Sequence, residues 1–125
     1  MGDPEVVVVL TTFPIDGDVS AFATGLVRDR SAACVSVLSA VESVYRWEGA
    51  IERARERQLI VKTTADRVAQ LRQRVAALHP YDTPEFLVLP VAGGDPTYLH
   101  WVVDATRSGP VQETGDSSEP PGTHR

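Results

Sequence analysis

The sequence is poor in several residue types, and each shortage excludes a class of protein. Cys34 is the only cysteine among 125 residues, which rules out an internal disulfide and fits a reducing compartment. A single lysine, Lys62, and a net charge of −5 leave no basic cluster, so we expect no binding to nucleic acid. The apolar run Val6–Leu10 is far too short for a membrane span, and no basic signal-peptide segment precedes it. We therefore expect a soluble, cytoplasmic protein without a membrane partner.

The motifs of common catalytic and phosphate-binding sites are also missing. No Gly-x-Ser-x-Gly nucleophile elbow occurs, and Gly93-Gly94 is a turn signal and not a phosphate-binding loop. Cys34 lies between apolar residues, away from the positive charge that activates a thiolate. We therefore expect a protein that is not an enzyme.

The apolar pattern predicts one domain over residues 1–107 and a disordered tail over residues 108–125. The tail is rich in Ser, Pro, Gly and Glu and has almost no apolar residues. Within the domain, apolar residues in continuous or alternating runs predict four strands, and helical spacing predicts three helices. The strands are predicted at 6–12, 32–44, 51–64 and 85–91, and the helices begin after Asp16 or Asp18, at Thr64 or Asp66, and after Asp95.

These elements follow one another in the order β-α-β-β-α-β, and a further helix comes last. Two βαβ-type crossovers joined by a hairpin describe a ferredoxin-like sandwich of the α+β class, here with an extra C-terminal helix. The first strand is continuously apolar, which predicts burial on both faces. Pro80 ends the second helix. The buried stripe of that helix is predicted to consist of Val68, Leu71, Val75 and Leu78.

Six short motifs follow one another between Val6 and Arg107. They are Thr11-Thr12-x-Pro14, Ala32-Ala33-Cys34-Val35, Ser43-x-Tyr45-x-Trp47-Glu48-Gly49, Lys62-Thr63-Thr64, His79-Pro80-Tyr81-x-x-Pro84-Glu85 and Tyr98-Leu99-x-Trp101. Their order and spacing resemble those of the CutA divalent-cation-tolerance family. The resemblance implies a ferredoxin-like subunit that forms a tight homotrimer, similar in assembly to the PII signalling proteins, with hairpin arms pairing edge to edge.

The predicted hairpin over residues 35–64 supports such an assembly, because it is longer than a small sandwich can cover. Its second strand begins with the charged run Glu52–Arg57, which indicates a solvated arm that projects from the core. A bend is predicted at Ser39-Ala40. An unpaired strand edge invites pairing with another chain, and a closed threefold ring would satisfy every such edge.

The resemblance also implies a link to divalent cations, chiefly copper. In some bacterial relatives a cysteine in the first strand and two consecutive histidines are the proposed ligands. Here Thr11 and Leu78 stand at two of those three positions, and only His79 remains. If a metal binds, we expect His79 and Glu85 as ligands, with Cys34 as a third candidate. The alternatives are that His79 interacts with the helix C-terminus and that Cys34 is a small core residue.

A second candidate site is an inter-subunit cleft rich in aromatic and charged residues. Its ligand-binding residues are predicted to be Tyr45, Trp47, Glu48, Lys62, Tyr81 and Trp101, beside Glu85. The aromatic residues are also typical of plain interface packing. Lys62 is expected either to form an ion pair with Glu48 or Glu85 or to meet an anionic ligand.

Three functions remain open from the sequence. The first is a trimeric CutA-like protein that reversibly binds divalent cations such as copper, with no required cofactor. The second is a PII-like trimer that binds a small anionic metabolite through Lys62 or nearby arginines. The third is a purely structural trimer. A metal site would need His79 and would weaken at low pH, because imidazole must be neutral to bind a metal. A metabolite site would be indifferent to His79→Ala.

Overall fold

The computed structural model describes residues 4–107 and shows the predicted order of strands and helices. The strands are β1 (Val6–Pro14), β2 (Cys34–Trp47), β3 (Ala50–Thr64) and β4 (Leu87–Pro90), and the helices are α1 (Val19–Arg28), α2 (Val68–Leu78) and α3 (Pro96–Ala105). A short 3-10 turn, Ala65–Arg67, leads into α2. The predicted tail at 108–125 lies outside the described residues, and so do residues 1–3 of the predicted domain. Both therefore stay predictions.

The four strands form one antiparallel sheet in the order β2-β3-β1-β4. The protein is therefore of the α+β class, as predicted. The core lies between this sheet and the helices α1 and α2. It is formed by Val7, Val9, Phe13, Phe22, Leu26, Ala32, Leu59, Val61, Leu71 and Val75.

Burial alternates over residues 6–11 of β1 within this chain, and that differs from the prediction of burial on both faces. Val7 and Val9 are buried in the core, whereas Val6, Val8 and Leu10 are only partly buried. Successive side chains of a strand point to opposite faces of the sheet. In the single chain α1 and α2 cover the face of Val7 and Val9, and the second apolar set of β1 is only partly buried.

The helices begin and end largely where their sequence signals predicted. The Asp18 carboxylate accepts a hydrogen bond from the Ala21 amide at 3.0 Å, and Asp95 caps α3 in the same way through the Tyr98 amide. The buried stripe of α2 is shorter than predicted. Leu71 and Val75 are buried, but Leu78 is 44% exposed because the helix ends there and the chain turns away at His79.

Strand β4 was predicted at 85–91 and is four residues long instead. The reason lies in the bonding of Glu85, whose backbone carbonyl accepts a hydrogen bond from the Thr11 hydroxyl at 2.6 Å. Ladder pairing with β1 begins only at Leu87. All four residues of β4 are exposed, and the strand forms one edge of the sheet.

The β2–β3 hairpin extends beyond the core, and β2 continues to Trp47, past its predicted end at 44. The register shifts between Val37 and Ala40, which confirms the predicted bend. The hairpin turns through Glu48 and Gly49, both at positive φ, as expected for a two-residue turn that matches the twist of the strands. None of the helices within residues 4–107 is long and apolar enough to cross a lipid bilayer.

Candidate functional site

A cleft of about 890 Å³ lies between the hairpin and the loop that follows α2. It is lined by Thr12, Ser43, Val44, Tyr45, Trp47, Glu56 and residues 80–85. Glu56, Asp82 and Glu85 supply carboxylates, and no lysine or arginine of the described chain is among the lining residues. The volume is in the range of small-molecule sites, so a bare ion would leave room for further groups.

The cleft brings together four of the residues predicted for it and leaves out three. Tyr45, Trp47, Tyr81 and Glu85 line it. Glu48, Lys62 and Trp101 do not line the cleft within this chain, and their place in a cleft between subunits stays a prediction. Glu48 lies in the hairpin turn, Lys62 lies in the middle of the sheet, and Trp101 packs beside Tyr98 on α3, with ring centroids 5.7 Å apart.

Lys62 has a different partner from the two carboxylates that the sequence suggested. Its ammonium group donates to the Ser36 hydroxyl at 2.6 Å, on the face of the sheet that α1 and α2 do not cover. Cys34 pairs with Lys62 in the strand register and is partly buried. Both residues therefore belong to the sheet surface and not to the cleft.

The three predicted metal ligands do not converge in this chain. Within residues 4–107, no group of three or more His, Cys, Asp and Glu side chains could hold a metal ion. Cys34 lies at the start of β2, Glu85 lines the cleft, and His79 lies at the end of α2 with only 6% of its surface exposed. A complete ligand set would need groups from outside the described chain.

Both ring nitrogens of His79 are already hydrogen-bonded. The Tyr81 amide donates to Nδ1 at 3.1 Å, so Nδ1 must be the unprotonated acceptor. In the neutral ring Nε2 then carries the proton, and it donates to the Thr12 carbonyl at 2.8 Å. The sequence analysis gave an interaction with the helix C-terminus as the alternative role of His79. In the structure its side chain bonds the loop to β1.

Glu56 is the residue of the cleft that the sequence analysis missed. It lies in the charged run predicted to be solvated, yet it is only 6% exposed and accepts a hydrogen bond from the Thr12 hydroxyl at 2.9 Å. The strand register is the signal that could have identified Glu56. Counting back from the Trp47–Ala50 pair places Tyr45 opposite Glu52 and Val41 opposite Glu56, so Glu56 shares a face with the aromatic residues.

The loop that supplies Tyr81, Asp82 and Glu85 is fixed at its far end as well. The Glu85 carboxylate accepts from the Gln58 amide at 3.0 Å, and the same amide donates to the Thr11 carbonyl at 2.8 Å. Together with the bond from the Thr11 hydroxyl to the Glu85 carbonyl, these contacts attach the loop to β1 and β3. The carboxylate of Glu85 is therefore held in one place before any ligand arrives.

Tyr81 lies in the cleft beside acidic side chains. Burial raises the pKa of the Tyr81 phenol, and the charge of Glu56 raises it further. The phenol therefore stays protonated at neutral pH and can act as a hydrogen-bond donor. Three carboxylates, with no described lysine or arginine among the lining residues, attract positive charge and disfavour anions.

Comparison with known proteins identifies the family. The family model described as "CutA1 divalent ion tolerance protein" matches residues 7–105. The divalent-cation tolerance protein CutA of Thermus thermophilus is 42% identical over 99 residues, which cover 79% of this chain and 96% of that protein. The protein named "Protein CutA, chloroplastic" of Arabidopsis thaliana is 38% identical over 102 residues, covering 82% of this chain and 56% of that protein.

A solved structure gives the same result. The divalent cation tolerance protein (Cut A1) from Thermus thermophilus matches with a TM-score of 0.79 and 41% identity, over 82% of this chain and 99% of that chain. The resemblance of the six motifs is thereby confirmed. The matched residues include the sheet, the hairpin and the loop that form the cleft, and the chain belongs to the CutA1 divalent ion tolerance protein family.

Proposed function

We propose that this protein acts in divalent-cation tolerance as a non-enzymatic homotrimer that reversibly binds a divalent cation at the cleft. The observation that carries the proposal is the lining of the cleft. Glu56, Asp82 and Glu85 supply carboxylates there, and no described lysine or arginine is among the lining residues. Glu56 and Glu85 are held by hydrogen bonds from Thr12 and Gln58, so part of the site is ordered in advance. Family membership supplies the biological context.

The site is completed by a neighbouring subunit in this proposal. The described chain alone offers no group that could hold a metal, while the cleft is bordered by exposed Tyr45 and Trp47. Apolar hairpin residues and the exposed edge strand β4 are typical of surfaces that another chain covers. The strand order β2-β3-β1-β4 fits a ferredoxin-like subunit, whose hairpin arms pair edge to edge in a closed ring.

Carboxylate oxygens suit Mn²⁺, Mg²⁺ and Ca²⁺, and at any one oxygen site Cu²⁺ binds more tightly than Mn²⁺. The ligands that each chain contributes in this proposal are therefore Glu56, Asp82 and Glu85, which do not form a complete site alone and are joined by groups of the neighbouring subunit. They replace the set of His79, Glu85 and Cys34, because Cys34 lies elsewhere and His79 has no free lone pair. Copper remains the expected ligand with the highest affinity, and no resident cofactor is required.

Titration calorimetry of the full chain with Cu²⁺ and with Mn²⁺ tests the proposal. We expect saturable binding that Glu56→Gln and Asp82→Asn each weaken by about tenfold or more. The matched controls are Glu42→Gln, a glutamate of the same hairpin outside the cleft, and Asp104→Asn on α3. Binding that is absent, or equally affected by cleft and control variants, would contradict the proposal.

The two other functions remain predictions with weaker support. A PII-like site for an anionic metabolite needs positive charge, but Lys62 lies on the sheet surface and no described cation lines the cleft. Binding of ATP that Lys62→Ala abolishes would favour it. A trimer that binds neither metal nor ATP would favour the structural role. A cytoplasmic location also stays a prediction, since the name of the Arabidopsis relative assigns that protein to the chloroplast.

A further inference from the structure

The loop over residues 79–86 is attached to the sheet at two points. At its far end, Glu85 is bonded to Thr11 and Gln58. At its near end, His79 provides the attachment, because its ring bonds to the Thr12 carbonyl on one side and to the Tyr81 amide on the other. Tyr81 and Asp82, which line the cleft, lie between these two points.

We propose that His79 is a positioning residue of the cleft and not a metal ligand. Its neutral ring, with the proton on Nε2, joins the Tyr81 backbone to β1 and thereby fixes the place of Tyr81 and Asp82. The part of this inference that concerns cation affinity rests on the proposed function. The part that concerns the loop does not, since it follows from the hydrogen bonds alone.

Both ring nitrogens already form hydrogen bonds, so positioning is a simpler role for His79 than metal binding. A metal ion needs an unshared lone pair on imidazole, but the lone pair of Nδ1 accepts the Tyr81 amide and Nε2 carries a proton. The ring is also enclosed by aromatic side chains, with Phe13 at 5.4 Å edge-on and Tyr81 at 4.7 Å between ring centroids. Metal binding would break one hydrogen bond and expose a buried ring.

Thr12 links His79 to the opposite wall of the cleft. Its carbonyl accepts from His79, and its hydroxyl donates to the Glu56 carboxylate. The loop and the hairpin therefore meet on one residue of β1. Removing the His79 ring frees the near end of the loop from Thr12, so the distance between the Asp82 and Glu56 carboxylates is no longer fixed.

The chain offers a pair of substitutions that separates the two bonds. In His79→Asn the side-chain oxygen takes the place of Nδ1 and still accepts from the Tyr81 amide, but nothing reaches Thr12. In His79→Gln the side-chain nitrogen takes the place of Nε2 and donates to Thr12, but the acceptor for Tyr81 is lost. His79→Ala removes both bonds.

Amide hydrogen exchange of Tyr81 in the full chain tests the loop. We expect His79→Ala and His79→Gln to speed exchange by about tenfold, the effect of losing one hydrogen bond, and His79→Asn to keep most of the protection. A role limited to filling space would make Asn as harmful as Ala, because both remove the ring. Equal exchange in wild type and His79→Ala, or no rescue by Asn, would overturn the inference.

Cation affinity and the tautomer of the His79 ring are the second pair of measurements. We expect His79→Ala to weaken Mn²⁺ binding by about tenfold, and His79→Asn to retain part of the affinity. In the wild-type protein, nitrogen NMR must show the Nε2–H tautomer both before and after addition of Zn²⁺. A ring that changes tautomer or loses its proton when Zn²⁺ binds would overturn the positioning role. If wild type binds no cation while the exchange pattern holds, the positioning role stands and the proposed function fails.

Discussion

The two ends of the β2–β3 hairpin differ in what surrounds them, although they belong to the same pair of strands. At the base, Leu59 and Val61 are fully buried in the core with residues of α1 and α2. At the tip, Trp47 and Ile51 are apolar yet exposed, Ile51 to 69%. Strand pairing nevertheless continues without interruption from Ala40 to the Trp47–Ala50 pair. The hairpin therefore extends well beyond the surface that its own chain covers.

In the proposed trimer, this difference separates residues that stabilise the subunit from residues that serve assembly and the cleft. A buried apolar side chain at the base stabilises the fold of the single chain. An exposed apolar side chain at the tip contributes little to that fold, and such a patch is typical of an interaction surface. The cleft lies between the buried base and the exposed tip of the hairpin. Glu56 and Thr12 are on its buried side, and Tyr45 and Trp47 are on its exposed side.

The largest expected effect lies at the base. Leu59→Ala removes a fully buried side chain and leaves a cavity, so we expect a loss of about 2–5 kcal/mol in the free energy of unfolding. Val44→Ala at the tip, which is more than half exposed, should cost far less in the same denaturant titration. Equal losses at both positions would show that the tip is as much a part of the subunit core as the base.

The second effect is expected at the hairpin tip, in the free energy of subunit association and not in the fold of the subunit. Ile51→Lys places a charge on the exposed apolar surface, and we expect it to weaken subunit association by about 2 kcal/mol or more while circular dichroism stays unchanged. Sedimentation velocity at several concentrations measures the change. Ile15→Lys is the matched control, because Ile15 is also exposed but lies outside the hairpin. If both variants keep the oligomeric state of the wild type, the hairpin tip does not lie in a subunit interface.

The smallest effect is expected far from the hairpin tip, where Arg107, just after α3, binds Asp66, just before α2. Arg107 donates to the Asp66 carboxylate at 2.8 and 2.9 Å and also to the Thr64 hydroxyl. Because the pair is partly exposed, we expect Asp66→Asn to cost only about 1 kcal/mol. Asp104→Asn, whose carboxylate pairs with His100 on the surface of α3, is the control.

The cost of Asp66→Asn should depend on pH in a defined direction. The hydrogen bonds from Arg107 and Thr64 hold the pKa of Asp66 well below its usual value. A carboxylate whose pKa is depressed by folding stabilises the native state above its unfolded pKa of about 3.9, and the contribution fades as the pH falls below that value. The difference between wild type and variant should therefore be constant near neutral pH and shrink in acid. A difference that grows on acidification would contradict the assignment.

Much of the fold could be predicted from the sequence because local signals and burial agree. Asp18, Asp95 and Pro80 mark helix ends through chemistry that needs no distant partner. The start of β4 was predicted too early because Glu85 bonds to Thr11, which is 74 positions away in the sequence. Burial of Leu78 was overestimated for the same kind of reason, since a helical stripe does not reveal where the core ends.

The site could be predicted only in part. The aromatic and acidic residues around Tyr45, Trp47, Tyr81 and Glu85 were recognised as a group, because their motifs are distinctive. Lys62 was assigned to the cleft because it is the only lysine and lies in a strand beside Thr63-Thr64, and neither feature shows which face of the sheet it occupies. Glu56 looked like one of several solvated charges, and only the strand register distinguishes it from its neighbours.

Paramagnetic line broadening by Mn²⁺ tests the central claim most directly, because it locates the bound ion in the assembled protein. We predict that substoichiometric Mn²⁺ broadens the amide signals of Tyr81, Asp82, Glu85 and Glu56 and leaves those of Lys62 and Thr106 sharp. Broadening centred on Cys34 and Lys62, or on His100 and Asp104, would place the cation outside the cleft and contradict the account.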